Sequence, residues 1–321
     1  MAAFRILVIR LSSMGDVIHT LPAAASLKHS YPHSSVSWIV RERWAPLLQG
    51  NPFVNRVLPV EGGIKGVVGA VRAARRERFD LVVDFQGLVQ SALVAASVRS
   101  PKKVGLHRSQ ARESLASLFY STTVLTREAH RVERNLELAA AAGATSLLRV
   151  FPLPEGEPEG DLPEGRFVLA CPFAGWGAKQ WPLEYFAEVA RGLDIPLVLN
   201  GPTSSAAALA RTGARVHSSG IAGLIYATRR ASAVIGLDSG PLHLAAALSK
   251  PGVAIYGPSD PAVHGPYGGS IRVLRATGAA TTQKRRSEDP SMLAIKPDAV
   301  LEALHYVLKR DYPIMQAGST A

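Results

Sequence analysis

The chain has 321 residues, of which 47% are hydrophobic, with 22 prolines and one cysteine. That length exceeds what a single core ordinarily serves, so two domains are expected, and the composition excludes an overall disordered chain and an internal disulfide. The formal net charge of +11 is uneven: residues 1–150 hold 20 Lys and Arg against 10 Asp and Glu, and residues 151–321 hold 16 against 15.

An excess confined to the first half suits an anionic partner, whether nucleic acid, acidic lipid or a multiply charged substrate. Aromatic residues are too scattered for base stacking, and neither a helix-turn-helix nor zinc spacing is present, so nucleic acid is not expected as a partner. No stretch approaches the ~20 continuous apolar residues of a membrane span, which leaves a soluble or peripheral protein. Cys171 fits a reducing compartment and a packing role.

Residues 4–11 form an apolar run containing Arg5 and Arg10 with no small-residue cleavage site, so they read as a first strand and not a signal peptide. The loop Leu11-Ser-Ser-Met-Gly-Asp16 follows and places a carboxylate at the start of a helix over 16–29, kinked at Pro22. Strands are predicted at 36–40 and 56–60, a helix at 64–78, a strand at 81–85, a helix at 88–98, a short strand at 104–106, and helices at 113–120 and 130–142. Residues 151–166 mix Pro, Glu and Gly without periodicity and read as a linker, dividing the chain into domains 1–155 and 156–321.

Alternation then resumes. A strand at 167–171 precedes the Gly-rich loop Ala174-Gly-Trp-Gly-Ala-Lys179 and a helix over 182–192. A strand at 196–200, helices at 204–211 and 221–230, and a strand ending at Leu237 lead to Asp238-Ser239-Gly240. There an Ala/Leu-rich helix begins at about Pro241, with His243 in its first turn, and a strand at 253–256 follows. A helix over 296–308 closes the pattern, while 280–290 and the tail after residue 312 are expected to be flexible.

Strands alternating with helices predict an α/β protein with two Rossmann-like domains, mostly parallel sheets, facing a cleft. Ligands of such sheets bind beyond the strand carboxyl ends, so the loops 12–16, 174–179 and 238–240 carry the chemistry. A helix N-terminus following Asp238-Ser239-Gly240 suits a phosphate; the alternative is that Asp238 or Ser239 only caps the helix. Neither Gly-x-Gly-x-x-Gly after the first strand nor Gly-Lys-Ser/Thr is present, and no Asp-x-Asp or paired His is placed for a divalent metal.

Five motifs in order carry a resemblance: Arg10-Leu-Ser-Ser-Met-Gly-Asp-Val-Ile-His-Thr-Leu-Pro22, Asp84-Phe-Gln-Gly-Leu-Val-Gln-Ser-Ala92, Ala111-Arg-Glu-Ser-Leu-Ala-Ser-Leu-Phe-Tyr120, Lys179-Gln-Trp-Pro182 and Asp238-Ser-Gly-Pro-Leu-His243. Together they resemble glycosyltransferase family 9, whose members have the GT-B fold. The resemblance implies an inverting, metal-independent enzyme without cofactor that moves heptose from ADP-heptose to the octulosonic acid of lipid A. It also implies a monomer, cytoplasmic and peripheral on the inner face of the inner membrane, whose last helix crosses back to the first domain.

Carried onto this chain, Asp16 is the expected general base and Lys179 the phosphate ligand. Ala174, Gly175, Asp238, Ser239, Gly240 and His243 complete the donor set, and Ser13, Gly15, His19, Gln86 and Arg112 belong to the acceptor set. The charge excess adds Lys65, with Arg72, Arg75 and Arg76, to the acceptor side. Two departures stand out. Ala174 and Gly175 replace hydroxyl residues, and Gly201-Pro-Thr-Ser-Ser205 stands where an acidic side chain would meet the ribose. Another GT-B nucleotide-sugar enzyme and a non-catalytic basic binding protein remain as alternatives.

Overall fold

The computed structural model describes residues 3–276, 278–279 and 289–310. Contacts divide the chain into two compact units, Met1–Pro154 and Glu155–Ala321.

In the first unit, strands β1 (Arg5–Ile9), β2 (Ser35–Arg41), β3 (Arg56–Val60), β4 (Leu81–Asp84), β5 (Lys102–Leu106) and β6 (Thr122–Val124) form one sheet in the order β3-β2-β1-β4-β5-β6. All of its pairings are parallel. In the second, β7 (Val168–Cys171), β8 (Leu197–Asn200), β9 (Arg215–His217), β10 (Ala233–Leu237), β11 (Gly252–Tyr256) and β12 (Ile271–Arg275) run in the order β12-β11-β10-β7-β8-β9, again all parallel. Each sheet reverses its winding between its first and fourth strands, and that switch point opens a crevice at the carboxyl ends. The central strands are continuous apolar runs, as sheets covered on both faces require: Ile6 to Ile9 and Ala233 to Leu237 are buried throughout.

Helices α1 (Met14–Ile18), α2 (Leu21–Ser30), α3 (Gly63–Arg75), α4 (Val89–Ser97) and α5 (Arg131–Ala142) belong to the first unit. The second holds α6 (Leu183–Arg191), α7 (Ala206–Ala210), α8 (Ile221–Arg230), α9 (Gly240–Ala247), α10 (Pro261–His264), α11 (Pro290–Leu293) and α12 (Pro297–Arg310). The single kinked helix expected over 16–29 is instead two helices. Pro22 lies in the first turn of α2, where its missing N–H leaves no bond unmade and its fixed φ favours initiation. The segment read as a helix at 113–120 is a 3-10 turn, Ser114–Phe119.

One apolar cluster of the first unit joins Leu7, Ile9, Ile39 and Val82 to Ala70, Ala74 and Val94. The second unit's core includes Val168, Ile235, Val253, Trp181 and Phe186, and α12 contributes Val300, Ala303, Leu304 and Val307 to it. The apolar face of α12 is thus buried within its own unit. No described helix is long and apolar enough to cross a membrane. Residues 280–288 of the stretch expected to be flexible, and the tail after residue 312, lie outside the described residues.

Candidate functional site

The first unit's site is built on the loop leaving β1. Leu11 and Ser12 donate their backbone N–H groups to Gln86 Oε1 at 3.0 and 3.2 Å, so a buried side chain arriving from β4 fixes the loop. Ser13 is the N-cap of α1, and Asp16 is its third helical residue. Asp16 Oδ2 accepts from the Ser13 N–H at 2.9 Å and from the Ser13 hydroxyl at 3.0 Å. Asp16 Oδ1 pairs with Arg10, whose guanidinium also donates to the Phe85 carbonyl, and Arg112 Nη1 lies 3.8 Å from Oδ2. Arg10 is 5% exposed, whereas Arg112 is open to solvent. Burial by itself would raise the Asp16 pKa; the Arg10 guanidinium, the Ser13 N–H, Arg112 and His19 reverse this and hold the carboxyl well below the usual range.

Helix α5 adds cations that the sequence reading did not include. Asn135 Nδ2 donates to the His19 carbonyl at 3.0 Å and to Thr20 Oγ1 at 3.2 Å, clamping α5 to the end of α1. At the start of α5 the His130 and His19 rings meet edge to face at 5.6 Å, and the charge of the adjacent Arg131 interacts with that of Asp16. Arg131 is pushed down to about 10, first by burial and then by repulsion from Arg134, with attraction to Asp16 opposing both. Arg10 Nε, Arg131 Nε and Arg134 Nη2 are buried without a hydrogen-bond partner among the described residues. One carboxylate therefore stands among several guanidiniums, an arrangement that favours anions.

Asp84, fully buried at the end of β4, accepts from Gln86 N–H at 2.8 Å and Tyr120 OH at 2.7 Å. Burial raises its pKa, opposed by hydrogen bonds from Ser91, Tyr120 and the Gln86 and Gly87 N–H groups.

The predicted acceptor residues thus separate. Ser13 and Arg112 adjoin Asp16 and are exposed, whereas Gly15, His19 and Gln86 are buried and act on the loop from below. Lys65 is exposed in the first turn of α3, which follows β3, two strands or about 10 Å across the sheet from β1. Arg72, Arg75 and Arg76 do not join it. They lie about 10–16 Å further along a helix that runs back toward the strand amino ends. A signal for Arg131 and Arg134 was present in the sequence: basic residues at a helix N-terminus oppose the macrodipole and call for a reason.

In the second unit the loop leaving β7 ends in a 3-10 turn, Gly177–Lys179, tied by Gln180 Nε2 donating to the Ala174 carbonyl at 2.8 Å. Lys179 pairs directly with Asp238, the residue after β10, and His243 Nε2 lies 3.8 Å from Asp238 Oδ1. Burial works against the Asp238 charge; Lys179, His243 and a hydrogen bond from Ser259 overcome it and lower the pKa. Asp238 is therefore not a helix cap. Ser239 occupies the N-cap position of α9 without a side-chain capping bond, and its hydroxyl has no partner among the described residues. The N-terminal N–H groups of α9 and Lys179 thus converge on one turn beside Gly240, with open space at Gly175.

Cys171 is buried and its thiol is pushed up to about 12 by burial, which leaves it an inert packing residue. A cleft of about 290 Å³ near Arg166, Ile195, His305 and Lys309 lies at the amino ends of β7 and β8, opposite the Asp238 turn.

Residues 68–293 match the family profile described as glycosyltransferase family 9 (heptosyltransferase). Lipopolysaccharide heptosyltransferase 1 of Pseudomonas aeruginosa is 34% identical, the match covering 83% of this chain and 82% of that protein. Lipopolysaccharide heptosyltransferase 1 of Escherichia coli is 32% identical over 87% of this chain and 94% of its own length. The solved structure of E. coli heptosyltransferase WaaC with ADP superposes with a TM-score of 0.76 at 29% identity, covering 95% of this chain and all of that one.

Proposed function

The chain belongs to glycosyltransferase family 9, the heptosyltransferases, and from that premise we propose that it transfers L-glycero-D-manno-heptose from ADP-heptose to the octulosonic acid of lipid A. The first unit takes the acceptor and the second the donor. The observation that carries this reading is the accessible edge of Asp16 among Arg10, Arg112 and Arg131: a base for a sugar hydroxyl set in a field that attracts an anionic acceptor.

In the proposed reaction the acceptor hydroxyl oxygen attacks the anomeric carbon from the face opposite the pyrophosphate, and the bond to ADP breaks with inversion. Asp16 receives the hydroxyl proton. A positioned base contributes roughly 10²–10⁴-fold. Because Asp16 stays ionised far below neutrality, its charge is available throughout the physiological range, and the cost is a modest proton affinity. Lys179 and the N–H groups opening α9 stabilise the charge gathering on ADP without reorganising, and no metal is required for it. Asp238 serves as the positioning residue: it holds Lys179 and His243, while the lysine's remaining N–H groups reach a phosphate.

Gly201 to Ser205 contribute no carboxylate for the ribose, so a second reading, transfer from a different nucleotide, is tested alongside. Purified protein is supplied with deacylated lipid A carrying octulosonic acid and with ADP-heptose, UDP-sugars or GDP-sugars. Turnover of ADP-heptose alone, unchanged by EDTA, is expected. Preference for another nucleotide would select the second reading, and chelator inhibition reversed by Mg²⁺ would refute the metal-free step.

A further inference from the structure

Between β5 and β6 the chain inverts the ordinary burial pattern. In the 3-10 turn Ser114–Phe119 the small Ala116 is buried, while Leu115 and Leu118 are 63% and 76% exposed. Residues three apart eclipse one another in a 3-10 turn, so the two leucines form one outward ridge. Leu93, on the neighbouring α4, is 44% exposed as well.

This is not a loose loop. At its start the Glu113 N–H donates to the Gly87 carbonyl at 3.0 Å, and Glu113 Oε2 accepts from the Val89 N–H at 2.6 Å. At its end Tyr120 packs on Gly105, where even a Cβ would meet its ring at 2.2 Å, and its hydroxyl bonds Asp84 at 2.7 Å. A turn fixed at both ends that presents leucines to water has an occupant to meet, since isolated exposed leucines need no explanation but a rigid ridge of them does.

Charge identifies the occupant. From residue 88 to 125 there are five basic residues against one acidic residue, Glu113; Arg99, Arg108 and Arg112 are exposed, while Lys102 and Lys103 turn to carbonyls at the ends of α5 and α4. A second copy of the same face would be repelled, whereas an anionic bilayer offers both acyl chains for the leucines and phosphates for the cations. Arg112, three residues before Leu115, lies 3.8 Å from Asp16, so the ridge adjoins the proposed acceptor end of the first unit.

We propose that the Leu115–Leu118 ridge is the element that enters the interfacial layer of an anionic membrane, delivering Asp16 to an acceptor anchored there. The proposal rests on the reading of the acceptor as lipid-linked, but its test does not depend on turnover. Full-length protein is sedimented with vesicles of phosphatidylethanolamine and phosphatidylglycerol, and with phosphatidylcholine vesicles, neither containing acceptor. Wild type should partition to the anionic vesicles, and Leu115→Ser with Leu118→Ser should lower that partition roughly tenfold or more. Leu118→Trp should show a blue-shifted emission on binding. The serine variants should keep wild-type transfer to a soluble deacylated acceptor, with an unchanged melting temperature.

Unchanged partition in the serine variants, or a tryptophan emission that stays at its aqueous position, overturns the proposal even if transfer is confirmed. Self-association of wild type that the serine variants abolish overturns it in favour of a second copy. If soluble transfer fails in wild type while the partition result holds, it is the catalytic reading that falls.

Discussion

Each sheet places an aspartate beyond the carboxyl end of a switch-point strand, and the two are held differently. Asp238 follows β10 directly and meets a single lysine, with His243 behind it, so the charge is matched one to one. Asp16 lies a loop and half a helical turn beyond β1, with one oxygen on a buried arginine and the other on its own N-cap residue, under the influence of Arg112 and Arg131. The first arrangement fixes a lysine in place. The second leaves a surplus of positive charge around a carboxylate edge. On the proposed reaction the same residue type is a support in one unit and the base in the other, in keeping with the different number of cations around each.

The strongest break in that comparison is Asp16→Asn. The amide keeps the shape and loses the base, so kcat should fall at least ~10²-fold while ADP binding survives. Because Arg10 then loses its ion-pair partner in a buried setting, the melting temperature should also drop, and circular dichroism at the assay temperature must show a folded protein. A folded variant keeping more than about a tenth of wild-type kcat would remove Asp16 from the reaction.

Lys179→Ala comes next. A charged hydrogen bond contributes about 1.5–3 kcal/mol, so ADP affinity measured by calorimetry should weaken roughly 10–100-fold, made worse by the uncompensated charge of Asp238. The double change with Asp238→Asn separates support from contact. If Asp238 acts through Lys179, the double variant binds ADP at least as well as Lys179→Ala alone; additive losses would mean that Asp238 touches the donor itself.

Much of this layout was legible beforehand because parallel central strands announce themselves as uninterrupted apolar runs, as in Ile6 to Ile9 and Ala233 to Leu237. The strands that escaped notice, β6, β9 and β12, are the outermost of their rows: two have three residues each, and the third buries only its first residue, Ile271. Edge strands are covered on fewer sides, so their apolar signal fades. At the site, Asp16, Lys179 and Asp238 stood out as loop residues after strands. Two cations around Asp16 did not, since Arg10 reads as the tail of an apolar strand and Arg131 lies over a hundred residues from the carboxylate whose charge it senses. Proximity of that kind is a product of topology and leaves no local pattern.

Arg112→Ala sharpens the contrast more gently. Its contact with Asp16 is long and exposed, so it should leave ADP affinity unchanged and raise acceptor KM by several-fold at low salt. Added salt should do the same to wild type over a screening length of about 8–10 Å. If both treatments act on donor KM instead, the basic excess of residues 1–150 does not serve the acceptor.

The smallest effect is expected at Asp84, the third carboxylate at a strand end, where the pH dependence has the opposite sign. Asp16 and Asp238 have depressed pKa values, so the stability they contribute is present above the unfolded value of about 3.9 and is lost as pH falls below it. Asp84 is raised by burial, so its ionised form weakens the fold, and that penalty is absent below the unfolded value and grows as pH rises through the folded one. Asparagine has no charge to bury. Its carbonyl can accept the Gln86 and Gly87 N–H groups, and its amide can donate to the Tyr120 oxygen. Asp84→Asn should therefore change stability at pH 7 by no more than about 1 kcal/mol, in the direction of a gain, because replacing a buried hydrogen-bonding group by one of the same shape is nearly neutral. The difference from wild type should shrink toward pH 4. A loss at pH 7 that disappears at pH 4 would show that the ionised form is favoured, and Asp84 would then join Asp16 as a counter-charge for Arg10.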